Sequence, residues 1–149
     1  MARQAEVIEA AEEMLIEAWE LLMRLPDRER GFLSAGSRSG WPEVLRDVVT
    51  DYADGDARPR MSLNRREMAI VGRVFLDVGC LAMEVAPANR RLFALVLAMK
   101  AREGRVWWDQ IWVALGGKRL GVTSDCLRMR YDRSLARLAF VDGERLVRA

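Results

Sequence analysis

The chain has 149 residues, 51% hydrophobic and 31% charged, with 24 Lys+Arg against 22 Asp+Glu and no histidine. That composition suits a soluble globular protein with one real core or two very small ones, and the missing histidine removes the commonest general base and zinc ligand. No apolar run approaches the ~18 residues that cross a bilayer, Cys80 and Cys126 lack CxxC spacing, and no GxSxG, P-loop or GxGxxG motif occurs.

These exclusions predict a protein that is not an enzyme, with no cofactor and no metal. The opening "MARQAEVIEAAEEML" is acidic and lacks the basic-then-apolar pattern of a signal peptide. A cytoplasmic location with no membrane partner is expected.

Ala5 to Leu25 reads as an amphipathic helix. Ile8, Ala11, Leu15, Ala18, Trp19, Leu22 and Leu25 form one stripe, with Glu6, Glu9, Glu13, Glu17 and Glu20 on the other side. Such a stripe either closes a core or pairs with a second copy, and a homodimer through this helix is expected. Pro26 ends it. "DRERGFLSAGSRSG" is a loop, Pro42 opens a shorter second helix to about Tyr52, and "ADGDARPR" is another loop.

A third helix is predicted from about Leu63 to Val85, capped by Ser62. Met68, Val71, Val74, Phe75, Val78, Leu81, Ala82 and Val85 are its apolar positions. Gly72 and Gly79 would let another backbone approach. A fourth helix follows Pro87, about Ala88 to Arg102, burying Leu92, Leu95, Val96 and Met99. "EGR" is a turn, and Trp107 to Leu115 is a fifth helix. Its Trp108, Ile111, Trp112 and Leu115 fall at i, i+3, i+4 and i+7, which makes them a core stripe with Trp107 at the edge. Clustered aromatics also stack bases, but only when exposed, and this spacing favours packing.

Gly116-Gly117 supplies a helix end, and Thr123 or Ser124 can cap a sixth helix running to about Phe140. Asp142-Gly143 between apolar pairs is a short-hairpin signal, compatible with a small wing. A helix end with a frayed tail is the preferred reading. The fold expected is all-α, about six helices, with a C-terminal three-helix unit.

Charge divides unevenly. Residues 1–86 hold 11 Arg against 16 Asp+Glu, net −5, and residues 87–149 hold 13 Arg+Lys against 6 Asp+Glu, net +7. The division suggests an N-terminal partner-binding part at 1–86 and a nucleic-acid-binding part at 87–149. One compact domain with an unevenly charged surface fits the same counts.

On the sixth helix, Leu127, Tyr131, Ser134, Leu135 and Leu138 share one side. Arg130 and Arg137 lie on one flank with Cys126, Arg128 lies on the other, and Asp125, Met129 and Arg133 lie opposite the apolar side. A short helix, a turn, and a helix with an apolar inner and an arginine outer face make the pattern of a helix-turn-helix. Arginine chelates guanine or grips phosphate. Ser124, Asp125, Arg128, Met129 and Arg133 are the candidates for base edges, and Lys118, Arg119, Arg130 and Arg137 for phosphates. The turn, Gly116 to Thr123, is longer than the usual three or four residues, and a generic helical hairpin with a solvated basic face remains the alternative.

The segments "WPEVLRD", "WDQIWVALGG" and "SDCLRMRYDRSLARLA", between Trp41 and Ala139, resemble a family of phage and prophage proteins of alphaproteobacteria. "WDQIWVALGG…LRMRYDRSL" is also similar to the helix-turn-helix of sigma-factor region four. The resemblance implies DNA binding without naming a target. The expectation is a sequence-specific regulator of transcription that binds double-stranded DNA, its acidic first helix dimerising or meeting RNA polymerase. A small-terminase-like packaging or assembly protein and a helical protein-binding adaptor are the alternatives.

Overall fold

The computed structural model describes residues 1–24 and 62–148, with side chains as far as Glu144, and every regular element among them is helical. The α-helices are α1 (Ala2–Arg24), α2 (Arg65–Val71), α3 (Arg90–Glu103), α4 (Trp108–Ala114) and α5 (Ser124–Arg148). A π-helical turn, Gly72–Leu76, and 3-10 turns at Leu81–Glu84, Pro87–Asn89 and Gly117–Leu120 join them. Among the described residues there are thus five α-helices where about six were expected. The helix predicted from Pro42 to Tyr52, and the loops around it, lie outside the described residues.

The core is built around α3. Every residue from Leu92 to Met99 is buried, more than the four positions predicted. A helix apolar on all sides must be surrounded, and α1, α4 and α5 all pack against it. α3 therefore spreads its burial over three neighbours instead of presenting one face.

α1 contributes Ala11, Leu15, Ala18, Trp19, Leu21 and Leu22 to that core. The predicted stripe is present, and it is occupied by the chain itself: Leu15 and Ala18 are wholly inaccessible. The face on which a homodimer was expected is spent internally. Arg24 at the end of α1 donates to Glu67 of α2 at 3.0 Å. The cap of α2 is Asn64, whose side chain accepts from Glu67 N at 2.9 Å, in place of the Ser62 expected.

The long third helix does not form. After α2 the chain widens into the π-helical turn, and Asp77 N closes it by donating to Gly72 O at 2.8 Å. A Cβ on Gly72 would lie 2.9 Å from the Asp77 carboxylate, so this glycine admits a side chain of its own turn and no second helix. Gly79 then adopts φ +72, where an L side chain is disfavoured. The chain turns there, and Val78, predicted inside, is 93% exposed. Val71, Val74, Phe75, Leu81, Ala82 and Val85 are buried as predicted, from three short elements and the residue that caps the last of them.

α5 runs without interruption through Asp142 and Gly143, so neither a wing nor a frayed tail follows residue 140. Asp142 is buried and ion-paired with Arg73 of the π-helical turn. No helix among the described residues is long and apolar enough to cross a membrane.

Candidate nucleic-acid interface

α4 and α5 pack on each other and on α3. Ile111 is fully buried, while Trp108, Trp112 and Leu115 are half-buried against the core. The Trp108 ring lies 6.0 Å from that of Tyr131, which in turn lies 5.0 Å from Phe93. Aromatic packing therefore ties all three helices, as the i, i+3, i+4 spacing predicted. Trp107 is the exception at 39% exposure.

The connection between α4 and α5 is held down. Gly116 has φ +126, a conformation strained for any L side chain. The chain then makes a 3-10 turn, and Trp112 Nε1 donates to Val122 O at 2.7 Å. Leu120 and Val122 pack against the core. The long predicted turn is thus a folded element pinned by an indole. Thr123 supplies the cap of α5: Cys126 N donates to its hydroxyl oxygen at 3.4 Å. Ser124 is the first helical residue and is half-buried.

Leu127, Tyr131, Leu135, Leu138 and Ala139 form the buried side of α5. Asp125, Arg128, Met129, Arg130, Arg133 and Arg137 are all exposed, and so are Lys118 and Arg119 on the 3-10 turn. Arg137 has an acid nearby, Glu84 at 3.8 Å. Arg128, Arg130 and Arg133 make no ion pair with a described residue.

The surface is not uniformly basic. Asp132, which the sequence reading passed over, is exposed four residues after Arg128 and seven after Asp125, on the same helical flank. Arg128 therefore sits between two carboxylates. The other flank carries Arg130 and Arg137 with Cys126, Arg133 lies between it and the outermost side, and there the positive charge is concentrated. The hydroxyl of Thr123 donates to Cys126 Sγ at 3.4 Å, which holds the thiol below its usual range, with Arg130 adding to the effect.

Two further features went unseen in the sequence. One is a polar junction beneath the candidate surface: a single oxygen of Glu12 on α1 accepts from Lys100 of α3 and, at 2.7 Å, from the Tyr131 hydroxyl. The Lys100 ammonium also lies 5.7 Å from the Tyr131 ring centroid. The other is Arg105, whose guanidinium sits 3.8 Å above the Trp107 ring. The first joins residues distant in sequence, which periodicity does not see. The second lies in a non-helical connection, where a wheel does not apply.

Among the described residues no group of three His, Cys, Asp or Glu is placed to hold a metal. No family model, no curated protein and no solved structure matches the chain.

Proposed function

We propose that the protein binds duplex DNA through α4 and α5 used as a helix-turn-helix, as a transcriptional regulator of the phage and prophage type its motifs resemble. One observation carries the reading: α5 is locked to the core along its inner side and presents Arg130 and Arg133, free of described acids, on its outer side. A rigid helix with uncommitted guanidinium forks matches the recognition helix of that motif, which enters the major groove. Arg128, Met129, Arg133, Asp125 and Ser124 then face base edges, and Lys118, Arg119, Arg130 and Arg137 face phosphates. A dimer on a palindromic site would have to pair a surface other than the α1 stripe. The acidic outer side of α1 is free to meet a basic partner such as a surface of RNA polymerase.

The test is duplex binding by fluorescence anisotropy across a salt series, followed by selection of preferred sites. The expected result is binding that weakens steeply with salt, enrichment of a defined site, and loss of both when Arg128, Arg130, Arg133 and Arg137 are all changed to alanine. If that variant keeps the wild-type circular dichroism and binds DNA as well as wild type, the surface is not DNA-reading and a protein-binding adaptor takes its place.

A further inference from the structure

We propose that Arg105 is a phosphate-gripping residue of the DNA interface, held ready for that contact by Trp107; the inference rests on the DNA-binding reading above.

The side chains around it are fixed in a way an ordinary surface arginine is not. Trp107 is anchored at two points: its backbone N–H donates to the sulfur of buried Met99 at 3.0 Å, and its indole Nε1 donates to Glu103 Oε2 at 2.6 Å. The ring is thereby held at the surface, 39% exposed, and the Arg105 guanidinium carbon lies 3.8 Å from its centroid. A guanidinium over an indole face uses its planar face for the contact and leaves its N–H edge free. Arg105 makes no ion pair with a described residue. The neighbouring acid, Glu103, is already engaged by the indole N–H. The arrangement is a positive fork whose rotamer is set before any ligand arrives, which lowers the ordering cost of binding.

Its place in the fold names the occupant. Trp107 immediately precedes the first residue of α4, the first helix of the two-helix unit. When the second helix of such a unit enters the major groove, the first crosses the sugar-phosphate backbone. A cation fixed at the start of α4 is then set against a phosphodiester and not against base edges. Arg105 would add to affinity without adding to sequence preference.

The experiment uses the full chain and a random-sequence duplex, reading the dependence of the association constant on salt. Arg105→Ala should make the log–log slope shallower by about 0.9, the loss of one phosphate contact, and weaken random and selected duplexes by the same factor. Trp107→Phe retains a ring face but loses the anchor to Glu103, so it should bind both duplexes with an affinity between wild type and Trp107→Ala. Trp107→Ala should lower affinity for both duplexes while Arg105 still contributes to the slope. A wild-type slope in a folded Arg105→Ala protein overturns the proposal, because a merely structural arginine would lower thermal stability and leave the slope alone. Wild-type affinity in Trp107→Ala would remove the positioning role. A wild-type protein that binds no duplex at all fails the DNA-binding reading itself, a different result from wild-type binding that ignores Arg105.

Discussion

The Tyr131 hydroxyl donates to the Glu12 carboxylate at 2.7 Å, joining the inner side of α5 to α1 across 119 positions of sequence. Lys100 donates to the same oxygen from α3, so three helices meet at one carboxylate. A hydrogen bond to a charged acceptor contributes about 1.5–3 kcal/mol. Tyr131→Phe should lower the free energy of urea unfolding by that amount. Glu12→Gln should also destabilise, because it leaves Lys100 without its carboxylate. The double variant should lose less than the sum of the two, since both act on one junction.

The same tyrosine makes stability fall in alkali. Burial, and then the bond to Glu12, push its phenol well above the ordinary 10.0. The folded protein keeps the proton where the unfolded chain gives it up. The stabilisation is complete below about pH 10 and is lost as pH rises beyond it. Melting temperature measured through that range should drop in wild type and drop less in Tyr131→Phe.

The Arg73–Asp142 pair should respond asymmetrically. The Arg73 side chain is 44% exposed and the Asp142 side chain 12%. Asp142→Ala leaves an arginine that water can solvate, at a cost below about 1 kcal/mol. Arg73→Ala strands a mostly buried carboxylate and should cost more, about 1–3 kcal/mol. Equal losses in chemical denaturation would show that the pair is not working in this way.

The connection before α5 depends on backbone geometry and one indole. Gly116→Ala forces an L residue to φ +126, a strain of about 1–3 kcal/mol. Trp112→Phe removes the donor to Val122 O and should cost about 1 kcal/mol. Both should speed amide exchange across residues 117–123 more than in α3.

Within the arginine flank, Arg130 and Arg137 should differ. Arg137 lies 3.8 Å from Glu84 and Arg130 has no such neighbour among the described residues. Arg130→Ala should flatten the salt dependence of duplex binding by about 0.9 in slope, and Arg137→Ala by less. The reverse order would place the phosphate-facing end of α5 at its C-terminal half.

Much of this protein was legible in the sequence because helix formation is local. The stripes of Ile8–Leu22 and Leu127–Leu138 appear where the 3.6-residue period puts them, Thr123 was a named candidate for the cap of α5, and the exposed arginines follow from the same wheel. Periodicity fails where helices break or are surrounded. Met68–Val85 has helical spacing throughout, yet the Asp77–Gly72 closure and the positive φ of Gly79 divide it. Leu92–Met99 looks amphipathic by its strongest positions, yet α1, α4 and α5 cover it on every side. A stripe also does not say what will cover it: that of α1 packs on α3, α5 and α2 of its own chain. Tertiary structure alone decided the Glu12–Lys100–Tyr131 junction and the Trp112–Val122 pin. Each depends on where separate backbone segments come to rest, and that is set by the packing of the whole core rather than by neighbours within a few residues.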